Sequence, residues 1–468
     1  MNAIRRLLDM IGAVGVARKL ARHNLWSRDQ LKQHQSEATA RLVRYACEKS
    51  PFYARHYAKL DLSKDIELSN LPPVDKSLLM ENFDDVVTDR RLGFDAVQSH
   101  IKTLRGDDYL FNEYRVVATA GTSGARGFFI YDRRAWRTVL ANTLRWNRFM
   151  DIRPRLPFRV RIASIGADNP MHVTERIPQS SNVGLFRIQH FEATEPIREM
   201  SKRLQQFQPE AILTYPSVAA LLAAEQIDGR LNIAPKVIST HSEVLTDEMR
   251  KAIHEAWSVH PFNHYGMTEE PHVAADCGRH EGLHIFEDTS VVEIVDDEFQ
   301  PVPDGSAGAR YLLTNLYNFA QPIIRYDVSD ILTRSPELCS CGRPFALISA
   351  IGGRSEDVLR LAASSGNGEI SIPPLSIEMC IEAFDEVAEY AANHSPSLIS
   401  VTIVPRAGAD LETLRRRLSG SLAEMVEKAG AHPPPVKIDF VDQLRRERER
   451  MGKLRLVGAA PNRSEKID

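Results

Sequence analysis

The sequence predicts an α/β protein of two domains: a large one of mostly parallel sheet plus a small β-meander or barrel over 1–354, and a small α+β one over 355–468. Three observations lead there. From about residue 158, short apolar β-type runs alternate with helical ones, the pattern of a parallel sheet covered by helices. After His284, strand-like runs follow one another without helices. Past "GGRSEDVLRL", a compact series of helix, strand, helix and strand forms a unit of its own.

In chain order, "MNAIRRLLDMIGAVGVARKLARHNL" places Ile4, Leu7, Leu8, Ile11 and Val14 at helical spacing. Asp9 interrupts the apolar run and no small-residue cleavage site follows cleanly, so a signal peptide is not expected. The spacing fits an amphipathic helix laid on the protein's own surface, with a membrane-surface helix as the lesser reading. Next, "TAGTSGARG" lies between "YRVVA" and "FFIYD", so a strand turns back into a strand. The parallel section then reads "FRVRIASI", "FRIQHF" before "EPIREMSKRLQQF", "AILTYP" before "SVAALLAAEQ", and "PKVIST" before "DEMRKAIHEAW". "LHIFEDTSVVEIVD", "RYLLTNL" and "PIIRYDVSDILTR" are the meander strands. In the last unit a helix is expected around "IEMCIEAFDEVAEYA", a strand at "LISVTIVP", a helix over "DLETLRRRLSGSLAEMVEKAG" and a strand after the rigid "HPPP".

At 468 residues, with 43% apolar and 26% charged, the chain has ample material for more than one core. A net charge of −3 gives no polyelectrolyte field, which argues against nucleic acid as a partner. No apolar run is long enough to span a bilayer, so no integral membrane segment is expected. Five cysteines, at 47, 277, 339, 341 and 380, are an odd number for a disulfide framework and fit a reducing cytoplasm.

"AGTSGARG" lacks the spacing of a Walker loop, and the strand that follows does not suit a loop that opens a helix. Its glycines at 121, 124 and 127 would let backbone N–H groups face a phosphate closely, with Thr119, Thr122 and Ser123 adding hydroxyl donors. The plain alternative is a hairpin loop that uses glycine for positive φ.

Further along the chain, "HYGMTEE", "IRYDVSD", "GGRSEDVLRL" and "GKLRLV" follow this loop in order. Together these segments resemble the successive signatures of adenylate-forming enzymes, the superfamily of acyl-CoA synthetases, adenylation domains and luciferases. "RLVRYACEKSPFYARHY" and "LPPVDKSLLMENFDDVV" are similar to the phenylacetate-CoA ligase and capsular-biosynthesis branch, so the likeness spans nearly the whole chain.

The resemblance implies ATP, Mg²⁺ and a small carboxylic acid at one site. A carboxylate is already ionised at neutral pH, so the chemistry needs no base but must offset the charge of a polyanionic triphosphate. On the family pattern, Thr119, Gly121, Thr122, Ser123 and Gly124 would cradle the β- and γ-phosphates. Thr268 would contact the α-phosphate, Glu269 would hold Mg²⁺, and Tyr265 would stack near adenine. Asp330 would accept from the ribose hydroxyls, Arg354 would assist from the hinge side, and Lys453 would bridge the acyl carboxylate and α-phosphate. The hinge itself would fall at Glu356 and Asp357, and the carboxy-terminal domain would act as a mobile lid. Tyr215, His241 and Gly266 are the candidates for the acid pocket, at the ends of the parallel strands. Taken singly, Asp330 reads as a turn residue and Arg354 as a solvated one.

Two departures stand out. Ala125 occupies the position where relatives carry a loop lysine, with Arg126 available to replace its charge, and "RYDVSD" has Asp327 and Ser329 at positions that usually differ.

Cys277, Cys339 and Cys341 with His280 or His284 suit tetrahedral Zn²⁺, and the branch's pattern favours His284. The alternative is free thiols in a turn beside surface histidines. The function expected is an ATP-dependent acid–thiol ligase acting with CoA on an aryl or other small acid, with a homodimer allowed. The alternatives are an adenylyltransferase, or an amide- or ester-forming ligase in polysaccharide or natural-product synthesis. A silent nucleotide-binding scaffold is opposed by Glu269, Asp330, Arg354 and Lys453 occurring together.

Overall fold

The computed structural model describes the chain apart from residues 1, 63, 64, 120–126, 154–156, 167, 168, 194, 244, 246, 352–358, 367, 373, 443–456 and 460–468. The sequence motifs at Gly121 to Arg126, at Arg354 to Asp357 and at Lys453 lie outside the described residues.

The helix Asn2–His23 packs along the helix Arg133–Phe149. Its periodicity is as expected, but its direction is reversed. Ala13, Ala17 and Leu20 face inwards, whereas Ile4, Leu7, Leu8 and Ile11 stay exposed. The reason is Asp9, fully buried among Arg115, Arg133 and Arg137, which fixes the rotation of the helix. Next, Ser27 caps the helix Arg28–Lys49 in a capping box with Gln30.

Strands β1 (Arg115–Ala118) and β2 (Phe128–Tyr131) pair antiparallel, Ala118 opposite Phe128. The glycine-rich stretch therefore joins two strands, as the sequence suggests. Thr119 closes the base of the hairpin: its N–H donates to the Gly127 carbonyl at 2.9 Å, and its Oγ1 accepts from Gly127 N–H at 2.9 Å.

Strands β3 (Val160–Gly166), β4 (Phe186–Glu192), β5 (Ala211–Thr214), β6 (Val237–His241) and β7 (Phe262–Tyr265) are parallel, in the order β4-β3-β5-β6-β7. Their connections carry helices, as the alternation predicts. One face packs Leu204, Leu222 and Ile253 from the covering helices, and the other packs Trp146 and Phe149.

The change of style after His284 does not mark a separate sheet. β8 (Ala274–Ala275), β9 (Leu283–Ile285), β13 (Leu332–Arg334) and β14 (Leu347–Ile351) extend the same sheet antiparallel, giving nine strands in all. Only β10 (Ser290–Val295), β11 (Arg310–Asn315) and β12 (Tyr326–Val328) form the separate antiparallel meander. "RYDVSDILTR" is thus split between two sheets, and Asp330 lies in the crossing. The split falls at residues 329–331, between the two strands, while Arg325, just ahead of β12, is held at φ 47° with its guanidinium donating to Leu71 O and Glu293.

A second core, drawn only from residues 359–457, holds the carboxy-terminal unit together. It contains the hairpin β15 (Leu359–Ala362) and β16 (Glu369–Ile372), then a four-stranded sheet in the order β19-β18-β17-β20. These four are β17 (Val387–Ser395), β18 (Leu398–Pro405), β19 (Val436–Phe440) and β20 (Val457–Ala459). The helix expected around "IEMCIEAFDEVAEYA" is shorter than its periodicity suggests: it ends at Glu382, and Val387, Tyr390 and Ala392 belong to β17. Pairing with β18 overrides local helix preference there. Among the described residues, no helix is long and apolar enough to cross a membrane.

Candidate active site

The carboxyl ends of β5, β6 and β7 form one edge of the parallel sheet, where open α/β sheets hold ligands. Tyr215 follows β5 and His241 ends β6, and their rings meet edge-on at 5.3 Å. Burial pushes the pKa of His241 down to about 4, so the ring is neutral at physiological pH. Beside it, β7 ends at Tyr265 and the chain turns sharply through Gly266. A Cβ on Gly266 would lie 2.1 Å from the Pro271 carbonyl oxygen, so no side chain fits there.

Three tyrosines fix the loop that follows. Tyr131 Oη, at the end of β2, donates to the carbonyls of Thr268 at 2.7 Å and Glu269 at 2.9 Å. Tyr326 Oη, on β12, donates to Glu269 Oε1 at 2.7 Å. Tyr265 Oη donates to Asp330 Oδ2 at 2.6 Å and shares a hydrogen bond of 2.9 Å with Tyr311 Oη. Two carboxylates remote in sequence, Glu269 and Asp330, are thereby gathered at the end of β7.

The electrostatics follow from burial. Glu269 has its pKa raised because burial disfavours the anion, with the Tyr326 hydrogen bond and the charge of Lys76 acting in the opposite sense. Glu270 is fully buried, bonded to Tyr317 Oη at 2.8 Å, and its pKa is pushed up to about 8, again by burial. It is therefore largely protonated at neutral pH.

Lys76 is the residue that sequence reading missed. "PPVDK" runs extended to Val74, which bridges to Tyr326, and Asp75 then caps the short helix Lys76–Glu81. This puts Lys76 against the base of the glycine-rich hairpin: a Cβ on Gly127 would meet Lys76 Cε at 2.9 Å. Nothing local in the sequence marks the lysine, since the hairpin lies fifty residues away. Tyr326 did carry a signal, being inside "IRYDVSD". Asp327, one of the departures, is explained by its 2.8 Å ion pair with Arg310.

The predicted metal ligands also converge. The ligating atoms of Cys277, His284, Cys339 and Cys341 all lie within 4.8 Å of one another. Cys277 Sγ is 3.8 Å from Cys339 Sγ, and His284 Nε2 is 3.4 Å from both Cys277 Sγ and Cys341 Sγ. A tetrahedron with Zn–S bonds of about 2.3 Å and a Zn–N bond of about 2.1 Å has edges of roughly 3.6–3.8 Å, so the four residues fit the ion. His280 points elsewhere and pairs with Asp276 at 2.7 Å. The cluster ties β9 to the loop after β8 and to the turn between β13 and β14.

No family model matches the chain. Among solved structures it is similar to 2-hydroxyisobutyryl-CoA ligase in complex with 2-HIB-AMP and CoA in the thioesterification state, with a TM-score of 0.63 and 19% identity over 94% of this chain and 91% of that one. The protein thus has the fold of the adenylate-forming CoA ligases. In sequence it is 25% identical over 431 residues to the phenylacetate-coenzyme A ligase of Pseudomonas putida, covering 85% of this chain and 88% of that relative. It is 32% identical over 196 residues to the enzyme of the same name from Thermus thermophilus, where the match spans 40% of this chain and only 42% of the relative's length. In sequence the chain is thus similar to phenylacetate-coenzyme A ligases.

Proposed function

We propose that the protein is an AMP-forming acid–CoA ligase. A carboxylate oxygen of a small acid attacks the α-phosphorus of ATP, the bond to the β-phosphate oxygen breaks, and pyrophosphate leaves an acyl adenylate. CoA thiolate then attacks the acyl carbon, and AMP departs with the bonding pair.

One observation carries this reading: Tyr326 and Tyr265 hold Glu269 and Asp330 at the end of β7, next to a hairpin base that carries Thr119 and Lys76. In this assignment the N–H groups and hydroxyls of Thr119, Gly121, Thr122, Ser123 and Gly124 surround the phosphate tail. Lys76 supplies there the cation that Ala125 does not. Thr268 donates to the α-phosphate, and Glu269, once ionised, is the ligand for Mg²⁺, which would supply charge neutralisation. Asp330 takes the ribose hydroxyls, Arg354 assists it, and the Tyr265 ring flanks adenine. Tyr215, His241 and the close turn at Gly266 border the acid pocket. A lid of residues 355–468 brings Lys453 to the reacting oxygens for the first step and withdraws it for the second.

The four-residue thiolate and imidazole cluster is assigned to a structural Zn²⁺, since all its positions are taken by protein ligands. The deciding experiment is pyrophosphate release over a panel of aryl and short aliphatic acids, with and without CoA. Acid-dependent release with acyl-CoA and AMP as products is expected. Release without thioester in the presence of CoA, or ATP binding with no release for any acid, overturns the assignment.

A further inference from the structure

The helix Asn2–His23 presents the apolar side chains of its first half, Ile4, Leu7, Leu8 and Ile11, to solvent, and buries Ala13, Ala17 and Leu20. Its inward face is buried from Asp9 through Ala13, Ala17 and Leu20 to His23, so the helix is seated and cannot roll. Asp9 accepts from Arg115, Arg133, Arg137 and Tyr109, and His23 pairs with Asp288 at 2.9 Å. Gly12 allows the closest approach: a Cβ there would lie 2.7 Å from Arg137 Cδ, blocking the arginine that crosses to Asp9.

The outward face is what remains. Ile4 is 68% exposed, Leu7 46%, Leu8 50% and Ile11 60%, and Val14 continues the row. Arg18, Lys19 and Arg22 follow on the same face, within an arc of about 140° at 3.6 residues per turn. Arg5 is bonded to Asn112, which brings Phe111, 44% exposed, alongside the start of the ridge. The helix itself adds no carboxylate to this face. Asp9 is the one acid between Asn2 and His23, and it is buried and paired, while Glu113 of the neighbouring loop pairs with Arg91 at 3.1 Å.

An apolar ridge that runs into cations, on a helix already satisfied on its other side, has the chemistry of an interfacial helix. We infer that this face docks the protein on an anionic phospholipid bilayer, with Ile4, Leu7, Leu8 and Ile11 in the acyl boundary and Arg18, Lys19 and Arg22 at headgroup phosphates. Charge complementarity selects this occupant. A second copy of the chain would bring the same three cations towards this face, and a neutral apolar partner would leave them without counter-charge. The helix lies flat, since both its ends are held, and it does not enter the bilayer core.

The full-length protein is tested by flotation with phosphatidylcholine vesicles containing about one third phosphatidylglycerol, and with pure phosphatidylcholine vesicles. Binding to the anionic vesicles is expected, weakening as salt rises. The pair Leu8→Ser and Ile11→Ser, and separately the set Arg18→Gln, Lys19→Gln and Arg22→Gln, should each lower the partition coefficient roughly 100-fold. These side chains are exposed, so the thermal midpoint and pyrophosphate release should stay unchanged. The inference is overturned if the wild type ignores anionic vesicles at low salt, or if both variants bind as it does. It is equally overturned if the wild type is a dimer that the Leu8→Ser and Ile11→Ser pair splits into monomers.

Discussion

Lys76 and Gly127 are in contact across fifty residues of sequence: only the missing Cβ of Gly127 lets Lys76 Cε lie where a side chain would come within 2.9 Å. The lysine therefore reaches the base of the glycine-rich hairpin and, from there, favours the ionised form of Glu269. Replacing it with alanine removes a cation from the base of the hairpin that is proposed to hold the phosphates. Pyrophosphate release by Lys76→Ala is expected to fall about 100-fold, with Lys76→Arg recovering part of the loss. Unchanged release in Lys76→Ala would remove the lysine from the site. Lys453→Ala should also lose adenylate formation, yet make thioester from preformed adenylate more nearly normally, as a residue withdrawn with the lid would.

Glu269 must be an anion to bind a metal, and burial already raises its pKa, so activity is expected to be lost as pH falls through that raised value. Tyr326→Phe deletes the 2.7 Å hydrogen bond that favours the anion. The acidic limb of the pH–rate profile should move up by about one unit. A limb that stays in place would mean that another group sets it.

For Glu270 the consequence is stability. Its folded pKa, about 8, lies above the unfolded value of 4.5, so the folded state holds the proton more tightly. Its contribution is fully present below pH 4.5 and is lost as pH rises towards 8, at about 1.4 kcal/mol per unit. Glu270→Gln keeps the shape without the titration. Thermal melts of the ligand-free protein should show the variant gaining on the wild type between pH 5 and pH 8, and parallel melting curves across that range would contradict the assignment.

At the thiolate cluster, protein purified without chelator should carry about one zinc per chain by elemental analysis. Cys339→Ser should lower both that content and the melting temperature, as loss of a tetrahedral ligand does. Cys47→Ser, whose thiol lies against Tyr53 O away from the cluster, serves as the control. Wild-type protein free of metal at full stability would dispose of the site.

Local patterning determined much of this protein. Alternating apolar runs marked the parallel strands, the glycines marked a strand-to-strand turn at Ala118 and Phe128, and the spacing of Cys277, Cys339 and Cys341 pointed to one cluster. The first two are legible because they depend on residues close together in the chain; Cys277 lies 62 residues from Cys339 and was grouped with it by its chemistry and the family pattern.

What only the tertiary structure decided depends on distant partners. His284, which the family pattern already favoured over His280, reaches the thiols because β9 pairs with β14, a pairing the sequence does not show. Asp330 meets Tyr265 because one apparent strand divides between two sheets, with Asp330 in the crossing from β12 to β13. The first helix turns Leu7 and Leu8 outward because Asp9 is claimed by three arginines from elsewhere in the chain. Periodicity says that a helix has two faces, but the free energy of the groups it meets decides which one is buried.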